Sequence, residues 1–147
     1  MAHVRKQIRD QVASIVSTAA TLVSGRVYTT RVYPLTEANL PAITVYTGQE
    51  VSALQAIGNR TLTRNLEVAV DIYVRATAST DDDIDAIAVQ IEEAISNDFT
   101  INGLAKEAVL TGTDIDFSGD TEQPVGIARL TFSIRYITAI NDVETAR

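Results

Sequence analysis

The side chains of this sequence that could do chemistry are few, and most of them are carboxylates. The chain has one histidine, His3, and no cysteine. A lone histidine near the start of the chain favours neither a catalytic triad nor histidine-based acid–base catalysis. Without cysteine there is no disulfide and no thiolate metal site, and no glycine-rich phosphate loop occurs in the sequence. We therefore expect no enzymatic activity and no cofactor.

Two clusters of acidic residues are the remaining candidates for a metal site. The run from Asp81 to Asp85 does not have the spacing of a calcium-binding loop, and its acids are explained by the positive start of a helix. The second cluster comprises Asp114, Asp116, Asp120 and Glu122. It fits a loop site for a hard cation better, but acids alternate with apolar residues there as at the end of a strand. We expect no metal, and a small metal-dependent enzyme is the less favoured alternative.

The charge of the chain is unevenly distributed along it. Residues 76–126 carry twelve acids and one base, so this segment has a net charge of −11, whereas the remainder is net +4 and the whole chain −7. Affinity for nucleic acid requires clustered Lys and Arg, and an acidic segment repels phosphate. The segment is interpreted either as an acidic surface for a basic partner or a DNA channel, or as an ordinary solvated surface.

Two long segments have the two-residue period of a β-strand. From Thr61 to Arg75 apolar residues alternate with polar ones, and the same pattern recurs from Ile127 to Ile137. Clean alternation is typical of antiparallel strands that are covered on one face only. The sequence therefore predicts an α+β fold, a single antiparallel or mixed sheet with two main helices packed on one face.

The elements that complete this fold follow from shorter patterns. Apolar residues at three- and four-residue spacing predict helices at 3–23 and 80–97, the first ending near Gly25. Further strands are expected at 26–33, 42–47 and 108–117, the last with a bulge near Gly112 where the apolar parity switches. Residues 114–126 are predicted to form a polar loop and 138–147 a polar tail, frayed or docked on a partner.

Residues 48–60 form the connection whose composition is least expected. It is long for a loop and contains several apolar residues, among them Val51, Leu54 and Ile57. We favour a protruding hairpin that docks on a neighbouring subunit, and the alternative is a loop folded back over the edge of the core. Exposed arginines such as Arg60 and Arg64 are expected to join this contact.

The length and hydropathy of the chain set its class. We expect one domain, 1–147, since 147 residues is the size of an ordinary domain. No apolar run approaches the roughly 20 residues of a membrane span, so no membrane partner is expected. The lack of cysteine favours an intracellular or virion protein.

The order of these parts resembles a known family, the tail terminator proteins of long-tailed bacteriophages, which include the minor tail protein U of phage lambda. The similarity spans nearly the whole chain. It is carried by packing and turn motifs rather than catalytic ones: RVYPL at 31–35, LPAITVY at 40–46, DDIDAIA at 82–88, IEEAI at 91–95, PVG at 124–126 and LTFSIRY at 130–136.

The resemblance implies a structural role in the virion. It implies an α+β subunit that forms a hexameric ring at the head-proximal end of the tail, caps the tail tube, stops its polymerisation and contacts the head–tail connector protein. DNA would pass through such a ring without specific binding. The acids at 114–122 or those on the second helix, Asp81, Asp82, Glu92 and Glu93, are expected to face the channel. Another phage neck or head–tail joining ring protein is the alternative that the sequence leaves open.

Overall fold

The computed structural model describes residues 2–29, 40–56, 58, 60–75, 80–118 and 125–147. Within these ranges it contains two helices, a short 3-10 helix and six strands. In chain order they are α1 Val4–Ala19, the 3-10 helix Thr21–Val23, β1 Val27–Tyr28, β2 Ala42–Ala56, β3 Thr61–Arg75, α2 Thr80–Asn97, β4 Glu107–Ser118, β5 Val125–Ala139 and β6 Asp142–Ala146.

All six strands belong to one mixed sheet. Its strand order is β1-β2-β3-β5-β4, and β6 folds back to pair with the end of β5. Only the contact of β1 with β2 is parallel, and the other neighbours are antiparallel. The predicted α+β class with an antiparallel or mixed sheet is confirmed.

Both helices pack on the same face of the sheet, which we call the covered face. Every third or fourth residue of each helix is buried, as their apolar spacing predicted. They meet the alternate apolar residues of β3 and β5, such as Val70 and Leu130. No helix among the described residues is long and apolar enough to cross a membrane. The opposite face of the sheet, the uncovered face, carries the other half of each strand's side chains.

The first predicted helix is shorter than expected. Its α-helical part ends at Ala19, and a 3-10 helix from Thr21 to Val23 replaces the final turns. Ser24 and Gly25 then adopt left-handed backbone angles, with φ of 53° and 79°. Because such angles suit glycine and end a helix, Gly25 does mark the end of the helical region.

Residues 48–60 do contain the favoured hairpin, but the predicted strand end at residue 47 is wrong, because β2 continues to Ala56. Pairing with β3 is maintained across two irregularities, between Thr47 and Glu50 and between Leu54 and Ala56. These extra residues break the alternation, so periodicity ends at residue 47 although the strand does not. Ile57, a predicted interface residue, lies outside the described residues.

Three further predictions concern the second half of the chain. The bulge in β4 is confirmed between Leu110 and Gly112. The strand predicted at 108–117 is confirmed as β4, so residues 114–118 do not belong to the polar loop predicted at 114–126, and 119–124 lie outside the described residues. The predicted tail at 138–147 is wrong: β5 runs to Ala139 and β6 returns along it, where the carbonyl of Glu144 accepts a hydrogen bond from Gln7 of α1.

The helix layer gives a direct test of this packing. Ile91 of α2 is fully buried against the sheet, so Ile91→Asp places an unpaired charge in the core and we expect it to cost roughly 4 kcal/mol of unfolding free energy. Val89, two residues away, is 52% exposed, so Val89→Asp should change the free energy of unfolding little. Urea denaturation followed by circular dichroism measures both, and equal midpoints for the two variants would contradict the helix orientation.

Candidate assembly surfaces

The end of the sheet where β2 turns into β3, here called the hairpin end, carries exposed apolar side chains. Val51 and Leu54 of β2 are 56% and 51% exposed. Val51 is paired with Asn65 on the uncovered face, and Leu54 with Leu62 on the covered face. The hairpin end is therefore apolar on both faces, and it does not fold back over the core as the alternative interpretation required.

The hairpin end is supported by its neighbours rather than extended as a free arm. β3 pairs with β5 from Thr61 onward, and the amide of Ile140 donates a hydrogen bond to the carbonyl of Arg60 at 2.9 Å. Arg60 is exposed, as predicted. A strand backed in this way presents a firm edge to a partner, because its position is fixed by the sheet.

Arg64 is not the exposed interface residue that the sequence suggested, because it is only 8% exposed. It lies on the covered face, where Nη1 donates to the Glu50 carboxylate at 3.2 Å and Nε to Thr138 Oγ1 at 3.0 Å. A buried guanidinium needs such acceptors, since burying an unpaired charge is costly. Arg64 therefore stabilises the subunit from within.

Glu50 is the centre of a mostly buried group of charges that we call the Glu50 cluster. Its carboxylate also accepts hydrogen bonds from Arg5 of α1, at 2.8 Å from Nη2, and from the Tyr136 hydroxyl of β5. The cluster thus joins β2, β3 and β5 to the first turn of α1. His3 caps the same helix, its Nδ1 accepting from the amide of Arg5 at 3.0 Å.

The electrostatics of the Glu50 cluster favour the charged carboxylate. Burial opposes ionisation, but hydrogen bonds from Tyr136 and Arg5 and the charges of Arg5 and Arg64 outweigh it, so the pKa of Glu50 is lowered. Burial and the neighbouring carboxylate raise the pKa of Tyr136 to about 12. Burial, together with the nearby Arg5 and Arg64, lowers the pKa of His3.

A bulge in β2 explains why a carboxylate occupies this position. Between Thr47 and Glu50 the strand has two residues opposite one residue of β3. The extra residue reverses the alternation, so Glu50 faces inward and Val51 faces outward. Without the bulge Val51 would lie on the covered face. One local irregularity therefore creates both the Glu50 cluster and the exposed apolar residue beside it.

A second ion pair lies on the uncovered face. Asp71 of β3 is 2% exposed, and its carboxylate accepts from Arg129 of β5 at 2.9 and 3.2 Å and from the Tyr46 hydroxyl at 3.0 Å. The guanidinium of Arg129 also lies 5.7 Å from the centre of the Tyr46 ring. Burial and the charge of Asp71 raise the pKa of Tyr46 to about 12. These contacts tie three strands together across a face without a helix.

The predicted channel residues divide between two sides of the sheet. Asp114 and Asp116 are exposed on the uncovered face of β4, across from Arg129 and Ile127. Asp120 and Glu122 lie outside the described residues. The acids of α2 lie in the helix layer on the other side: Asp81, Asp82, Asp83, Asp85, Glu92 and Glu93. One ring orientation cannot present both sets to one channel.

The two acidic sets differ in composition. Helix α2 has no basic residue, so its solvent side is uniformly negative. On the uncovered face, strands β2 to β5 carry five acids and three arginines: Glu67, Asp71, Glu107, Asp114, Asp116, Arg75, Arg129 and Arg135. Among the described residues no group of three or more potential metal ligands occurs. Both surfaces are suited to charge-guided contact with macromolecules.

Comparisons with known proteins identify the family of this chain. The phage minor tail protein U family matches residues 2–136. Among solved structures, a chain from the virion of a native gene transfer agent particle is similar, with 18% identity over 90% of each chain and a TM-score of 0.41. No curated protein sequence matches the chain significantly.

The Glu50 cluster predicts how stability depends on pH. The folded-state pKa of Glu50 lies below the ordinary value of 4.5. The contribution of Glu50 to folding stability is therefore fully present above pH 4.5 and is lost as the pH falls through the folded-state pKa. We expect Glu50→Gln to cost roughly 2–3 kcal/mol of unfolding free energy at pH 7. The variant should also lose less stability than wild type when the pH is lowered below 4.5.

The matched control for this prediction is Glu107→Gln. The Glu107 carboxylate lies 3.6 Å from Arg135, and both side chains are about half exposed. Loss of this ion pair should therefore lower the free energy of unfolding by well under ~1 kcal/mol. Urea unfolding of the three proteins between pH 3 and pH 7 gives the comparison. If Glu50→Gln retains the wild-type acid dependence, Glu50 is not the group that titrates.

Proposed function

This chain belongs to the phage minor tail protein U family, a structural protein of the phage tail and hence of the virion, and we propose that it ends the tail tube as a ring. In this proposal the ring is hexameric and sits at the head-proximal end of the tail. It caps the finished tube, stops its polymerisation and presents a surface to the head–tail connector. The observation that carries the proposal is the family match across 135 residues, 2–136.

The exposed surfaces of the subunit support a ring. Val51 and Leu54 expose apolar area on a strand that is held firmly in the sheet. When one surface of a subunit binds a different surface of the next copy, the copies close into a ring if the rotation between neighbours is a whole fraction of a full turn. The strong difference in charge between residues 76–126 and the remainder suits such a head-to-tail contact, because it penalises like-with-like pairing.

The channel of the proposed ring is bordered by the uncovered face of the sheet. Helices occupy the covered face, and the uncovered face exposes Asp114 and Asp116 on β4. Carboxylates outnumber arginines on that face, so it repels a phosphate backbone rather than binding it. DNA therefore passes without specific contact, and the uniformly acidic side of α2 faces outward.

Electron microscopy of the protein mixed with purified tail tubes tests the proposed function. We expect a six-fold ring at one end of each tube, and tubes that no longer grow when tube protein is added. Protein that binds isolated connectors but never bare tubes would instead identify a head–tail joining protein. Binding along the tube wall would contradict both roles.

The exposed apolar pair at the hairpin end provides a variant for the same experiment. Val51→Asp combined with Leu54→Asp should leave a folded monomer, since both side chains are at least half exposed, but it should abolish ring density on the tubes. Circular dichroism and melting temperature confirm folding. Unchanged rings would remove these residues from the interface, and a free monomer in dilute solution is compatible with assembly that requires the tube.

Charge reversal tests the orientation of the channel. Asp114→Lys with Asp116→Lys should leave rings intact but slow DNA ejection from assembled particles, because a basic lumen holds phosphate in a salt-dependent way. The matched control, Asp81→Lys with Asp82→Lys on α2, should eject DNA at the wild-type rate. If only the control slows ejection, α2 faces the channel, and if the first variant forms no rings, its carboxylates lie in the subunit interface.

A further inference from the structure

Two strand edges on opposite sides of the sheet lack a partner strand among the described residues. At one side, β4 pairs with β5 and with no other described strand. At the other side, β1 covers β2 only at Ile43 and Thr44. The distal part of β2, from Gln49 to Gln55, therefore pairs with β3 on one side only.

Both edge segments have an unusual exposure for strands of a soluble protein. Val109 and Ile115 of β4 are 47% and 45% exposed, and they lie on opposite faces of the sheet. Val51 and Leu54 of β2 repeat this arrangement at the other edge. A strand that exposes large apolar side chains on both faces is suited to burial by another strand and the residues around it.

A stretch of each edge strand lacks the charges that usually protect an edge, although Glu50 precedes the first stretch, and Glu107 and Asp114 flank the second. Residues 51–56 and 108–113 contain no Lys, Arg, Asp, Glu or Pro. Soluble proteins commonly block such edges with charged residues or proline, because an unprotected edge adds strands from other molecules. The one bulge in β4, between Leu110 and Gly112, interrupts only part of its length.

The strand directions make the two edges compatible in a ring. Since β2, β3, β5 and β4 alternate in direction across the sheet, β4 runs opposite to β2. Rotation about a ring axis keeps each strand's direction along that axis. Where strands run along the axis, β4 of one copy therefore meets β2 of the next in antiparallel orientation.

The geometry points to edge pairing between copies. We propose that β4 of one subunit adds to residues 49–53 of the next as an antiparallel strand, so that one sheet continues around the ring. This inference rests on the proposed ring and specifies its contact. Its register brings Val51 of one copy opposite Val109 of the next on the uncovered face, which makes an apolar cross-strand pair.

The positions of the two segments also suit closure. β4 begins level with Asn65 of β3, whereas the free part of β2 begins about level with Leu66 and extends toward the hairpin end. Adjacent copies must therefore be offset along the strand direction. Closed sheets require tilted strands and such a stagger in register.

Engineered cysteines test the contact without a background, because the native chain has none. Paired residues on one face of neighbouring strands have Cβ atoms about 4.5–5.5 Å apart, near the separation of a disulfide. Val51→Cys combined with Val109→Cys should, when oxidised on tail tubes, give a covalent ladder that ends at the size of the ring. Each single variant should stay monomeric on a non-reducing gel.

The control places the second thiol on the opposite face. Leu110 follows Val109, so Val51→Cys with Leu110→Cys should not produce a ladder. A ladder from the control alone, or no ladder from the first pair on tubes that carry rings, would overturn the edge pairing while the ring stands. Covalent dimers of a single variant would show a symmetric edge contact and contradict it as well. Tubes without rings would overturn the proposed function, and the edge pairing with it.

A second variant tests whether the ring depends on the β4 edge in particular, or on any exposed apolar residue of the subunit. Val109→Lys adds the charge that protects natural edges, and we expect rings to disappear while the melting temperature stays within a few degrees of wild type. Val89→Lys, on the exposed side of α2, is the matched change and should leave rings intact. Wild-type ring occupancy for Val109→Lys would contradict the proposal.

Discussion

The pairing of β3 with β5 is the constraint on which the rest of the structure depends. It runs without interruption from the pair Thr61–Ala139 to the pair Arg75–Val125. Because the side chains of a strand alternate, this unbroken register fixes for both strands which residues face the helices. Each flanking strand, β2 and β4, carries a bulge, and a further irregularity lies where β6 pairs with the end of β5. The centre supplies the core, and the sides supply the exposed surfaces.

The bulge in β2 links stability to assembly. It turns Glu50 inward and Val51 outward at adjacent positions. A buried carboxylate is tolerated because Arg5, Arg64 and Tyr136 all donate to it, and breaking such a group is more costly than its formation is favourable. The Glu50 cluster therefore fixes the position of the distal part of β2 relative to α1. In our proposal, that is the strand on which the neighbouring subunit docks.

Much of this fold could be predicted from the sequence because its centre is regular. The alternation from Thr61 to Arg75 specified the one-sided sheet, and apolar spacing located both helices. The predictions are wrong where a bulge interrupts the alternation of a strand, or where polar residues form a strand that was expected to be a loop or tail. The bulge after Thr47 ended the visible period of β2, and the polar residues 142–146 concealed a strand that pairs at an edge.

The candidate surfaces were harder to predict than the fold. The sequence prediction places Arg64 in an exposed interface, although its position in the alternation lies on the apolar face. That conflict was the one available signal of a buried partner, and Glu50 could be identified as that partner only from the structure. Asp114 and Asp116 fall in both the predicted strand 108–117 and the predicted loop 114–126, and strand pairing decides for the strand. Sequence identifies charges, but only the sheet shows which side they share.

Two edge strands with exposed apolar residues in one chain would also allow pairing into open fibres, which a closed ring has to avoid. Three features oppose such fibres. The bulge between Leu110 and Gly112 shortens the regular edge of β4. The net charge of −7 makes free copies repel one another. The uniformly acidic α2 adds repulsion wherever helix layers approach. Edge pairing that is weak between free copies becomes favourable when a template holds several copies side by side, because their effective concentration rises without any new contact. In our proposal, the subunit therefore assembles where the tail tube provides the template, and a fixed rotation between neighbours closes the sheet before it can extend.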